Sequence, residues 1–244
     1  MKGTRVILFC CIVIFFLAIY VSAQHIDRVQ NNPPKVEITT PGDGSTFIPG
    51  SYVRYSIVVT DKEDGSSEFE EISPKEVLLE VIYLPGNDKL KESNAVKEAM
   101  KDNPPGLALM KSSTCFNCHM VKSKLTGPSF LQISRKYPNN STTVSMLAKK
   151  VIKGSSGVWT NTTMPPNPGF TGEQAIQMIQ WILKNAANPN RNYFAGTEGN
   201  FKTGDSKGTY ILTASYTDRG NDSPKSKLRG QHTIVIRSKK QSGD

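Results

Sequence analysis

The sequence predicts a multidomain protein of α and β structure, in which an all-α domain is inserted into an antiparallel β-sandwich. Three observations predict it. Strand-like alternation of apolar and polar residues marks both ends of the 244-residue chain, and helical periodicity marks its middle. Charge also reverses along the chain, whose formal net charge is +9. From Pro34 to Pro105 eight basic residues face fourteen acids, whereas from Gly106 to Ala187 nine basic residues face a single acid, Glu173. Such a reversal points to two modules with different surfaces.

The first 23 residues read as a secretory signal peptide. Lys2 and Arg5 precede an apolar run from Val6 to Val21, and Val21-Ser22-Ala23 offers small residues for cleavage. The competing reading is an uncleaved inner-membrane anchor, since the run is only slightly short of the roughly 20 residues that span a bilayer. Cys10 and Cys11 lie near the start of the run, where a lipoprotein signal would not place them. The mature chain then keeps two cysteines, too few for a disulfide framework.

The first half of the sandwich is expected over residues 34–86. Val36 and Ile38 alternate with polar residues, Pro41-Gly42-Asp43-Gly44 turns, and Val53, Tyr55, Ile57 and Val59 share a face. The acidic loop Asp61 to Asp64 follows and reads as a solvated turn, since it lacks a complete set of calcium ligands. Val77 to Leu84 reads as a strand buried on both faces. These strands alone would leave edges uncovered, so they need partners from elsewhere. The second half, over residues 192–238, supplies them: Tyr210, Leu212, Ala214 and Tyr216 alternate, Asp218-Arg219-Gly220 turns, and His232 to Arg237 closes the set. The two pieces, PKVEITTPGDGSTF…YVRYSIVVTDKEDG and GTYILTASYTDRG…HTIVIR, resemble the halves of one polycystic-kidney-disease-type repeat, an immunoglobulin-like sandwich.

Residues 94–188 read as helical. One helix begins in the 90s, Pro104-Pro105 opens another over Gly106 to Lys111, and Asn140 to Lys153 places Val144, Leu147, Ala148 and Val151 on one face before Gly154 stops it. Thr171-Gly172-Glu173-Gln174 is a capping box that opens the last helix. The linkers are expected at Gly86 to Asn94 and Asn185 to Arg191.

Within this helical stretch lies Cys115-Phe116-Asn117-Cys118-His119. Two thiols separated by two residues reach two vinyl groups on one edge of a haem, and the adjacent histidine is then placed under the iron. A thioredoxin-like pair would need a βαβ setting that is absent around the motif. A zinc site would need two further ligands, yet His25 and His232, the other histidines, lie near the chain ends. One covalent haem c is therefore expected, with His119 as a ligand. For the sixth position Met164 is favoured. It stands in Met164-Pro165-Pro166-Asn167-Pro168, an irregular loop in which proline prevents helix and fixes the backbone. Met146 and Met178 fall within helices and read as packing residues, and Met110 and Met120 are too close to the attached segment to reach the far face.

The stretch GLALMKSSTCFNCHMVKSKLTGPSF…VIKGSSGVWTNTTMPPNPGFTGEQAIQMIQWILKN resembles a small class I bacterial cytochrome c, over about eighty-five residues and several independent motifs. The resemblance implies that the carbonyl of Pro128 accepts a hydrogen bond from His119, and that Trp159 packs near the haem and reaches a propionate. It also implies crossed terminal helices, with Gly106, Leu109 and Trp181 at the contact, which would bring the ends of the domain together and permit insertion in a loop of another.

The function these readings lead to is electron transfer, not enzymatic catalysis, because an iron ligated by His and Met has no free position for substrate. The combination with a sandwich resembles the cytochrome-containing tail of quinoprotein sugar dehydrogenases. That implies a periplasmic shuttle from such a dehydrogenase towards a terminal oxidase, met through an acidic docking surface on the partner. Nucleic acid is not an expected partner. Two alternatives stay open at this point: an open-site haem peroxidase or gas sensor, and a β-sandwich binding module with the haem domain as passenger.

Overall fold

The computed structural model describes residues 31–86, 88–159, 161–220 and 227–239. The secretory segment expected over residues 1–23 lies outside them. Among the described residues no helix is long and apolar enough to cross a membrane.

Two sheets and a group of helices make up the described chain. In the first sheet, β3 (Tyr52–Asp61) pairs antiparallel with β1 (Lys35–Thr40), with the short β4 (Gly65–Ser66) and with β7 (Glu198–Lys202). The second runs in the order β2 (Thr46–Phe47), β9 (Arg229–Ser238), β8 (Gly208–Thr217), β5 (Leu78–Pro85) and β6 (Arg191–Ala195). Only the β2–β9 pair in that sheet is parallel. Each sheet thus takes strands from both sides of the helical stretch. Register follows from the period-two pattern: Ile38 faces Ile57, Leu79 faces Ala214, and Leu212 faces Ile234. The inner faces of the two sheets meet in one core, where Val59, Tyr55 and Phe201 pack with Leu79, Leu212, Tyr216 and Ile236.

The acidic loop is closed by its own carboxylates. Asp61 Oδ1 accepts from the backbone N–H of Glu63 and Asp64, and Asp64 Oδ2 accepts from the Tyr216 hydroxyl at 2.7 Å. Among the described residues no three acidic, histidine or cysteine side chains gather as a metal site.

The alternation of β8 implies one buried face, yet nine of its ten residues are buried. The outer face of the second sheet is covered by helices. α1 (Lys89–Ala99) lies on it, with Ala99 packed against Ile82 and Ile211. It starts earlier than the sequence suggests because Asp88 caps it, accepting from the N–H groups of Leu90 and Lys91. Glu92 then pins it to β9 through Arg237 at 2.6 Å. α2 (Pro105–Lys111) follows, opened by a proline whose missing N–H costs nothing at the first helical position.

The remaining helices are α3 (Cys115–Cys118), α4 (Phe130–Lys136), α5 (Ser141–Lys153) and α6 (Gly172–Asn185). Ser129 and Gln132 cap α4 reciprocally, Asn140 caps α5, and Thr171 with Gln174 caps α6. α2 crosses α6 at Gly106, where a Cβ would collide with the Gln177 carbonyl and come within 2.8 Å of Trp181 Cβ. The second core lies among these helices, and the sheet contributes Leu78 and Tyr193 to it.

Candidate functional site

The helices surround one apolar cavity of about 1070 Å³, its open mouth included. Each expected site residue lines it: Cys115, Cys118, His119, Pro128, Trp159 and Met164. The walls are otherwise mainly apolar, with Phe130, Leu147, Val151, Ile179 and Ile182 among them.

Local structure explains how each side chain arrives there. α3 is a single turn carrying both thiols, and it ends as His119 turns to an extended conformation with its N–H bonded to the Cys115 carbonyl. The two cysteines are not joined in a disulfide. Burial raises the pKa of Cys115, against the hydroxyl of Ser113, whose Oγ lies 3.1 Å from the sulfur.

His119 is buried, and its Nδ1 lies 2.6 Å from the Pro128 carbonyl oxygen. That carbonyl can only accept, so Nδ1 carries the proton and Nε2 is left with its lone pair. Burial lowers the imidazole pKa, with the Pro128 bond acting the other way, so the neutral ring that binds metals is favoured. The ring stacks on Phe130 at 5.6 Å between centroids. Gly127 lies against the same ring, and a Cβ there would come within 2.5 Å of Cε1.

Met164 follows from the end of α5. Gly154 stops that helix at φ +80°, and Ser155 then exchanges two backbone hydrogen bonds with Met164, at 3.1 and 2.8 Å. Three prolines in the following turn cannot donate, and Asn167 takes over: its backbone N–H bonds to the carbonyls of Val151 and Ile152 at the helix end. Its side chain bonds Val151 and Pro165. The loop is therefore tied down at both ends. Met110 and Met178 also line the cavity, each 1% exposed and packed in the helical core.

Trp159 lines the cavity too, with the Tyr137 ring 6.3 Å away and the Lys136 ammonium 4.6 Å from its centroid. Sequence reasoning missed α4, which supplies Phe130 behind His119. Its signal was the capping box Ser129-x-x-Gln132 just before an apolar run. Lys150 and Tyr137 also line the cavity and were not singled out.

Two thiols and a neutral imidazole at one end of an apolar pocket define a protein that holds a macrocyclic metal group by covalent bonds. Residues 105–186 match the family model of cytochrome c. Cytochrome c-552 of Hydrogenobacter thermophilus is 41% identical over 75 residues, which are 31% of this chain and 76% of that protein. Cytochrome c-551 of Azotobacter vinelandii is 40% identical over 78 residues, 32% of this chain and 94% of that one. Among solved structures, wild-type cytochrome c552 of Nitrosomonas europaea has 37% sequence identity, covers 32% of this chain and 96% of its own, and has a TM-score of 0.31. The chain belongs to the cytochrome c family. It is a haem-based electron carrier with a class I cytochrome c domain, and both sheets are built from strands outside the matched residues.

The family implies covalent haem c, and the cavity passes the test of fit. Its walls are mainly apolar with a few convergent polar groups, as in cofactor sites generally. Both thiols and His119 open into it, and Gly127 leaves the space beside the imidazole that any Cβ would fill.

Proposed function

We propose that this chain is a periplasmic carrier of single electrons with one haem c, bonded through Cys115 and Cys118 and ligated by His119 and Met164. The observation that carries this reading is the lining of a single apolar cavity by both thiols, His119 and Met164. Haem supplies reversible one-electron exchange at its iron. The chain's own residues orient it and keep it dry. The Pro128 carbonyl fixes the tautomer of His119 and raises its basicity as a ligand. Met164 is preferred to Met110 and Met178 because its backbone is tied in a loop, whereas the other two are core residues of α2 and α6. With His119 and Met164 both bound to the iron, no position would remain there for peroxide or a gas.

Trp159, with Lys136 over its ring, is assigned to a propionate. The net positive charge of the helical stretch supports an acidic docking surface on the redox partner, read as a quinoprotein dehydrogenase on one side and a terminal oxidase on the other. The two sheets are read as one polycystic-kidney-disease-type sandwich into which the helical domain is inserted. Strands from both sides of the helices in each sheet support this.

An absorption spectrum of protein made with a haem-maturation system tests the assignment. A c-type haemochrome with the weak far-red ferric band of methionine ligation is expected, and Met164→Ala removes that band while Met110→Leu and Met178→Leu keep it. A high-spin ferric spectrum in the unaltered protein would move the peroxidase or sensor reading to the front.

A further inference from the structure

The wall behind His119 does not end with the cytochrome c region. Tyr193 comes from β6, in the second sheet, yet it is buried in the helical core with Met110, Phe116 and Trp181. Its ring stands edge-on to Trp181, centroids 5.3 Å apart and planes at 68°. Trp181 stands edge-on to Phe130 at 6.4 Å and 83°, and Phe130 stacks on His119. Four rings thus form an unbroken line from the sheet to the imidazole.

Each end of that line is fixed. Tyr193 sits opposite Glu80 in the β5–β6 register, and Glu80 pairs with Arg191 at 3.3 Å. At the other end, Phe130 and Gly127 both lie against the His119 ring, and Pro128 holds Nδ1. Edge-on aromatic contacts have preferred geometry, so each ring restricts the next.

We propose that Tyr193 is a positioning residue for the haem, acting through Trp181 and Phe130 on the His119 ring, and that the sheet thereby holds the reduction potential up. This rests on the ligation by His119 proposed above. The ferric site carries one more positive charge than the ferrous site, and a dry, closely packed wall disfavours that charge. A gap behind Trp181 lets the line relax and brings polarity closer to the imidazole, which stabilises ferric iron.

The test uses the full-length haem-loaded protein and reads the equilibrium midpoint potential beside the absorption spectrum. Tyr193→Leu keeps the c-type haemochrome and shifts the ferric-to-ferrous ratio at the wild-type midpoint at least threefold towards ferric, about 28 mV for one electron. Tyr193→Phe, which keeps the ring edge, stays within that threefold limit. Should Tyr193→Leu fail to accumulate, Tyr193→Met fills similar space without an aromatic edge, and the same shift is required of it. An unchanged potential in a folded, haem-loaded non-aromatic variant overturns the inference and leaves His119 ligation standing. An equal fall in Tyr193→Phe overturns it as well, since the hydroxyl and not the ring would then be responsible. Absence of histidine-ligated haem from the unaltered protein overturns the proposed function itself.

Discussion

Replacing Gly106 by alanine tests whether the helical domain is built around a close backbone crossing. The added Cβ would overlap the Gln177 carbonyl oxygen and stand 2.8 Å from both the Gln177 carbonyl carbon and Trp181 Cβ. Ordinary contact begins near 3.4 Å, so even the carbon contacts are short by about 0.6 Å, and the oxygen by more. The obstacle is backbone in a regular helix, so no flexible side chain can step aside. α2 must move away from α6 and take Leu107 and Met110, each 1% exposed, out of register with Met178 and Trp181. A gap of 0.5–1 Å forfeits about a quarter to a half of each dispersion contact across the seam. Overpacking of this kind costs roughly 1–3 kcal/mol, and the upper end is expected where backbone meets backbone. Gly172 is the control: nothing lies within 4 Å of its Cβ position and it opens α6, so Gly172→Ala is expected to be neutral or to stabilise by about 0.5 kcal/mol. Urea unfolding of the two haem-loaded variants, followed by circular dichroism and tryptophan fluorescence, measures both. Equal stability of Gly106→Ala and Gly172→Ala would refute the crossing argument.

Gly154→Ala places a side chain at φ +80° with its Cβ 2.7 Å from the Met164 carbonyl oxygen, so the two backbone bonds that tie Met164 to Ser155 are displaced. A weakened far-red band and a stability loss of roughly 1–3 kcal/mol are expected, and an unchanged spectrum would count against the loop as the ligand's anchor. Lys111 is buried, donates to the carbonyl and hydroxyl oxygens of Ser215, and has its pKa pushed down to about 7, first by burial and then by Arg229. Its charge is therefore a burden on the folded state below pH 7 that fades as pH rises towards the unfolded value. Relative to Lys111→Met, the wild-type protein should gain up to about 1.4 kcal/mol per pH unit above pH 7, and parallel stability curves would exclude this.

How much of this was legible in the sequence depended on how local the cause was. The Cys-x-x-Cys-His turn, the cap at Thr171 and the stop at Gly154 are local chemistry, and each appears where the residues put it. Period two in β1, β3 and β8 likewise gave the inner faces of both sheets. β6 and β7 were not read, because Arg191-Asn192-Tyr193-Phe194-Ala195 and Glu198-Gly199-Asn200-Phe201-Lys202 have little alternation and pair only through long-range partners in β5 and β3. The second burial of β8 was not legible either. Thr209, Thr213 and Ser215 are polar residues suited to a solvated face, and only tertiary contact with helices buries them. For the same reason Tyr193 escaped notice: its contact with Trp181 joins a strand to a helix that only the tertiary fold brings together.

That polar outer face determines how the helices can rest on the sheet. An apolar seam tolerates sliding, since one methyl group replaces another at little cost. Here the contacts are directional: Lys111 reaches Ser215, Arg229 donates to the Lys101 carbonyl at 2.8 Å, and Gln231 donates to that of Met100 at 2.7 Å. Arg237 holds Glu92. A buried polar group without its partner costs roughly 1–3 kcal/mol, so a shift of even one residue in the docking of α1 or α2 would forfeit several such bonds together. The bonds add little net stability in the native arrangement, yet they penalise every other arrangement. A fixed seam is what the line from Tyr193 to His119 requires, because a ring that drifts with the sheet could not hold an imidazole in place.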